Sequence, residues 1–216
     1  MSSGKSFLSQ QIIKNLNDIT YSNFEIKETK IIFISKSNES AKVIENICQK
    51  NNFKFTWWKI IHSMDFLMSN ENNNNTHIII LMEDIASDIN GANNKFNSDM
   101  SSFLFRSRHY NISIIYILHG IGHSMTKKNS FERIFLDNSS GLFIFKPINN
   151  KKIIFNYIKN FLSKNACNQL DNIFDFATKL MSHPYIFIQP NKNLYDEIGK
   201  IRIDIFNENI FLQSGI

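Results

Sequence analysis

Gly4-Lys5-Ser6 sets three useful groups in a row, directly ahead of the apolar-patterned stretch Phe7 to Ile13. Glycine lets backbone N–H groups face an anion, lysine reaches the β/γ-phosphates of a nucleotide, and the hydroxyl supplies a Mg2+ ligand. Together they read as the second half of a phosphate loop, G-x-x-x-x-G-K-[ST]. Only Met1-Ser2-Ser3 precede Gly4, so the first half would lie before Met1. With those backbone donors missing, nucleotide binding by the 216 residues is expected to be weak. The tripeptide also suits an ordinary helix N-terminus capped by Ser2 or Ser3, with the lysine in solvent. The segments that follow discriminate between the two.

The run His77-Ile78-Ile79-Ile80-Leu81-Met82 ends abruptly in Glu83-Asp84. An apolar strand ending in paired acids, downstream of a phosphate loop, is the Walker B arrangement: Glu83 at the metal position and Asp84 at the base position that polarises water. Acids after a strand can equally serve only to solvate its end. Arg106, Arg108, His109 and Asn111 stand directly before a second apolar run, Ile112 to Leu118. A cation here can face the γ-phosphate of its own or a neighbouring subunit, or can belong to a plain surface helix. His119 closes that run, where an ATPase of this kind places a polar sensor of the γ-phosphate; imidazole can donate there, with a charge that follows pH.

The elements that must position these groups follow from periodicity. Leu8, Ile12, Ile13 and Leu16 are spaced for a helix over Ser6 to Asn17, and Val43, Ile44 and Ile47 for one over Glu39 to Lys50. Ile31 to Ser35, Phe53 to Trp57, His77 to Met82, Ile112 to Leu118 and Leu142 to Phe145 read as strands, the last stopped by Pro147. Lys59 to Met68, Asp99 to Arg108, Ile153 to Leu162 and Gln169 to Met181 read as helices. Asn70 to Thr76, with its four consecutive asparagines, and Ser87 to Asn97 read as loops. Tyr185 to Ile188 and Lys200 to Phe206 form a closing hairpin around Pro190 to Asn193. The alternation argues for one α/β domain over residues 1–216, with a mostly parallel sheet containing the strands near Ile31, Ile78, Ile112 and Leu142. Trp57 and Trp58 suit packing better than base stacking.

A net charge of +5 permits nucleic-acid binding, but the cations are spread without a dense block. Cys48 and Cys167 are isolated and lack metal spacing, which excludes a zinc site built from them and suits a reduced compartment. No apolar run reaches membrane-spanning length, and the N-terminus lacks the layout of a secretion signal, so a soluble, non-secreted protein is expected.

Gly4-Lys5-Ser6, the run Ile78 to Asp84, the stretch Phe103 to Tyr116 and Leu142-Phe143-Ile144-Phe145-Lys146 together resemble the poxvirus-type DNA-packaging ATPases. These are FtsK/HerA-like P-loop ATPases of large DNA viruses, virophages and virus-like transposons. Arg108-His109-Tyr110-Asn111-Ile112-Ser113 is similar to the family's R-H-x-N-I-S motif, and Ile201 to Phe206 to its final strand. The resemblance implies a RecA/ASCE-like P-loop NTPase sheet flanked by helices. Its first strand is missing here and expected between the Ile112 strand and the Leu142 strand, and the chain ends in a C-terminal β-hairpin. It implies ATP and Mg2+ as cofactors: Gly4, Lys5 and Ser6 binding nucleotide, Ser6 and Glu83 the metal, Asp84 the water, His119 the γ-phosphate, and Arg108 acting across a subunit interface. It further implies a homo-oligomer that moves double-stranded DNA, without sequence preference, into a viral capsid through a capsid or portal contact, in the virion or in the host cytoplasm or nucleus. The family usually has Asp-Asp or Asp-Glu at Glu83-Asp84 and Gln at His119. Those departures keep two rivals open: a degenerate, non-hydrolysing homologue, and another P-loop DNA translocase or helicase.

Overall fold

The computed structural model describes residues 4–16, 27–60, 75–83, 85, 94–117, 134–135, 138–139, 141–145, 172, 185–188 and 201–202. The expected helix over 153–162, the one over 169–181 apart from residue 172, and most of the one over 59–68 lie outside these residues. The chain divides into two compact units, one of Lys5–Asn138 and one of Ser139–Ile216 with Met1–Gly4.

The first unit is an α/β fold. Its elements run α1 (Lys5–Lys14), β1 (Glu28–Ile34), α2 (Asn38–Lys50), β2 (Lys54–Trp58), β3 (Thr76–Glu83), α3 (Asn94–Ser107), a single 3-10 turn (Arg108–Tyr110) and β4 (Ile112–Ile117). The strands form one sheet in the order β2-β1-β3-β4, with every adjacent pair parallel. All eight residues of β3 are buried. A central strand covered on both faces has no solvent side, so its sequence is continuously apolar instead of alternating.

Alternation reappears in the packing. Ile31, Phe33, Ile79, Leu81 and Ile117 share a core with Ile13 and Leu16 from the α1 segment and Ala41, Ile44, Ile47 and Cys48 of α2. Ile32, Ile34, Ile78, Ile80, Met82 and Ile112 pack instead with Met100 and Phe103 of α3. Successive side chains of a strand point to opposite faces, so the odd-numbered residues of β1 and β3 serve the α1/α2 layer and the even-numbered ones the α3 layer.

The helices follow local signals. Ser37 caps α2, its hydroxyl accepting from Ser40 N–H at 3.1 Å, and Ala41, Ile44, Ile47 and Cys48 line its buried stripe. Val43, expected on that stripe, is exposed because it lies more than a quarter turn from the stripe's centre. α3 begins at Asn94, inside the stretch read as a loop, because Met100 and Phe103 anchor the helix to the sheet despite a polar first turn.

In the second unit β5 (Leu142–Phe145), β6 (Tyr185–Ile188) and β7 (Ile201–Arg202) form an antiparallel sheet in that order. β6 and β7 pair as the expected hairpin. The Leu142 strand, expected to run parallel with the others, instead pairs antiparallel with β6, Leu142 opposite Ile188 and Phe145 opposite Tyr185. Four consecutive apolar residues fit a covered strand of either sheet type, so the run carries no signal for its partner's direction. Among the described residues no helix is long and apolar enough to cross a membrane.

Candidate functional site

Gly4 has φ 79°, a left-handed conformation that costs glycine little and most other residues one or more kcal/mol. It turns the chain into α1, whose first two residues are Lys5 and Ser6. α1 is held to the sheet by buried Ile13, and in its first turns Leu8 is buried and Ser9 Oγ donates to the Ser6 carbonyl at 2.9 Å.

Glu83 is the last residue of β3 and is only 6% exposed. Its odd number continues the row of Ile79 and Leu81 toward the α1/α2 layer, and there Ser6 Oγ donates to Glu83 Oε1. The hydroxyl and the carboxylate expected to share a metal are thus in direct contact at the carboxyl edge of a parallel sheet, where ligand sites of open α/β sheets lie. Mg2+ prefers an octahedral oxygen shell, taking one or two carboxylates and a hydroxyl while substrate phosphates and waters fill the rest. One hydroxyl and one carboxylate oxygen in contact fit that demand. Among the described residues no group of three or more His, Cys, Asp or Glu gathers as an all-protein cage.

The parallel β3–β4 pairing brings Ile117 level with Glu83. His119 follows two residues later and lies outside the described residues, as does Asp84. Arg108 begins the 3-10 turn that enters β4. It therefore stands at the amino edge of the sheet, while Ser6 and Glu83 meet at the carboxyl edge. The five residue steps of β4 alone separate the two edges by about 16 Å. The structure thus unites Ser6 with Glu83 and keeps Arg108 away from the Glu83 of its own chain.

Asn111 of the same motif has φ 53°, in the left-handed region that Asn tolerates better than most residues, and its carbonyl accepts from Ile78 N–H at 3.0 Å. Its identity has a backbone explanation: it turns the chain from the 3-10 turn into register with β3. At the same end of β3, His77 Nε2 lies 2.9 Å from Ser113 Oγ, and burial lowers the imidazole's pKa.

Ser35, not singled out by sequence reasoning, is 0% exposed and occupies the position on β1 next to Glu83, one step beyond the paired Ile34 and Met82. Its N–H donates to the Trp58 carbonyl at 3.0 Å, its carbonyl accepts from Trp57 Nε1 at 2.9 Å, and its hydroxyl accepts from Ser37 N–H at 3.1 Å. A small polar residue closing an apolar strand was the only available signal. Cys48 is buried in the α1/α2 layer, where desolvation, aided by Glu45, pushes its thiol up to about 12. It is therefore a packing residue and a poor nucleophile.

No protein-family model matches this chain, and no curated protein sequence does.

Proposed function

We propose that this chain is an ATP-driven motor subunit that packages double-stranded DNA into a viral capsid, built on a P-loop NTPase fold. The observation that carries the nucleotide site is the Ser6–Glu83 contact, at the start of a helix entered through left-handed Gly4. The choice of a packaging motor rests on the resemblance of Arg108-His109-Tyr110-Asn111-Ile112-Ser113 to the R-H-x-N-I-S motif.

In this reading Gly4 and Lys5 bind the nucleotide, with Lys5 on the β/γ-phosphates, and Ser6 and Glu83 hold Mg2+. Bound there, the ion would neutralise charge on the phosphate oxygens. Asp84 orients the attacking water and accepts its proton, and His119 donates a hydrogen bond to the γ-phosphate. Arg108 serves the site of a neighbouring subunit, because its own lies at the other edge of the sheet. The partners are further copies of the chain, duplex DNA held through its phosphates, and a capsid or portal, in the virion or in the host cytoplasm or nucleus.

A second reading, a homologue that binds nucleotide or partners without hydrolysis, is favoured by His119 at the sensor position and by the order Glu83-Asp84. The test is phosphate release from Mg-ATP, with and without duplex DNA, beside Lys5→Ala and Glu83→Gln. DNA-stimulated release that both substitutions abolish supports the motor, as does its persistence only in the parent chain. Nucleotide binding without release supports the second reading. Release unaffected by either substitution overturns the site.

A further inference from the structure

The topology gathers at the amino edge of the parallel sheet cations that the sequence keeps far apart. α1 sets out from the carboxyl edge at the Ser6–Glu83 contact and precedes β1, which begins at the amino edge; Lys14 is exposed in its last turn. α2 returns the chain from the carboxyl end of β1 to the amino end of β2, and its last turn carries exposed Lys50. Asn52, at φ 58°, makes the reversal, and Phe53 N–H donates to the Cys48 carbonyl at 2.9 Å, so Lys50 and Lys54 are fixed on either side of one short turn. Lys27 is exposed immediately before β1, its N–H donating to the Asn75 carbonyl at 2.9 Å. Lys54 and Glu28, 2.5 Å apart, tie the starts of β2 and β1 together.

A cation in the last turn of a helix complements the helix dipole, which accounts for Lys14 and Lys50. It does not account for Lys27, because a sheet has almost no net dipole. Among the described residues the acid at these strand starts is Glu28, already matched by Lys54, and Glu45 lies more than a turn back in α2. Exposed ammonium groups on anchored backbone suit the repeated phosphates of a polyanion, and lysine, a point charge without a planar fork, meets phosphate without reading bases. The aromatic residue of the turn, Phe53, is buried and offers no platform for unstacked bases, which favours a duplex over a single strand.

We propose that Lys14, Lys27 and Lys50, at the amino edge beside β1 and β2, form a sequence-independent contact surface for the phosphate backbone of double-stranded DNA. The choice of polymer rests on the packaging reading. Strand order places β2 three inter-strand spacings, about 14 Å, from β4, which the turn holding Arg108 enters, so this surface and Arg108 occupy different ends of the edge. Backbone contact and the nucleotide site then lie at opposite edges of one sheet.

The experiment is fluorescence anisotropy of a labelled random-sequence duplex titrated with the full chain from about 0.05 to about 0.3 M salt, without nucleotide or Mg2+. Because no nucleotide is present, failure of the ATPase reading and failure of this surface are separate outcomes. Lys14→Gln/Lys27→Gln/Lys50→Gln is expected to bind at least roughly tenfold more weakly at about 0.15 M salt, with the slope of log K against log salt smaller by about 3. Lys36→Gln/Lys42→Gln/Lys59→Gln removes the same charge from exposed positions after β1, within α2 and after β2, and is expected to stay within about twofold of the parent. Equal losses in the two variants, no loss in the first, or no duplex binding by the parent would overturn the proposal. Should the first variant fail to fold, acetylation of the parent's lysines with and without duplex decides: Lys14, Lys27 and Lys50 should be protected and Lys42 and Lys59 should not, and unchanged labelling of the first three refutes the contact.

Discussion

Ser6 in the first turn of α1 donates its hydroxyl to Glu83 at the end of β3, although the two are separated by 77 positions in the chain. Replacing Ser6 with Ala strips a buried carboxylate of that donor and should cost about 1–3 kcal/mol of stability, while Thr should restore most of it. Urea unfolding of Ser6→Ala, Glu83→Gln and the double variant checks this. The pair should show a coupling energy of roughly 0.5–3 kcal/mol, and strict additivity would mean the contact carries no energy.

Glu83 and Asp84 are adjacent in sequence yet are assigned different work. If the chain hydrolyses ATP, Asp84→Asn should abolish turnover while nucleotide stays bound, since the carboxylate acts on the water and little on the ground-state complex. In the same assay His119→Gln should keep or raise the rate and flatten its pH dependence between about pH 5 and 8, because an amide donates without titrating. Undiminished turnover in Asp84→Asn would remove that residue from the mechanism.

His77 makes the fold sensitive to acid. Burial lowers its pKa below the ordinary 6.5, so the unfolded chain takes up the proton more readily than the folded one. Stability from this group is complete above the unfolded value. It falls as pH drops below about 6.5 toward the lower folded value, where the unfolded state binds more protons. Denaturant midpoints measured from pH 8 to 5 (roughly the span in which histidine charge changes) should decline more steeply for the parent chain than for His77→Gln. Parallel curves would refute the assignment.

Asn111 is the motif residue whose role the backbone explains. Asn111→Gly should change stability by only a few tenths of a kcal/mol, since glycine accepts φ 53° freely. Asn111→Val should cost about 1–2 kcal/mol or more, because a β-branched residue is strained in that region. Thermal melts of the two variants give the comparison, and equal melting would contradict it.

Much of the first unit was legible because its signals are local. β3 announces itself as an apolar run closed by an acid, α2 by the helical spacing of Ile44 and Ile47, and Gly4 by the lysine and hydroxyl after it. What stayed hidden depends on pairing between distant segments. Nothing in Leu142 to Phe145 says that its partner runs antiparallel. Arg108 was recognised as preceding β4, but the edge it occupies relative to Glu83 emerges only once β3 and β4 are known to be parallel and in register. Ser35 was missed because its meaning lies in the strands beside it. Asp84 and His119 remain readings of sequence.

The unbroken apolar character of β3 leaves its alignment underdetermined. Ile78-Ile79-Ile80-Leu81-Met82 would satisfy either helical layer almost equally after a shift of one residue, a slip that exchanges every inward and outward position. Polar groups at the strand's two ends break that degeneracy: His77 meets Ser113 at one end and Glu83 meets Ser6 at the other. Slipping by one would strand an imidazole and a carboxylate on the wrong face at once. The contact assigned to metal chemistry therefore also works as a peg that indexes the strand, and an acid kept for indexing would persist in this fold even where hydrolysis had been lost.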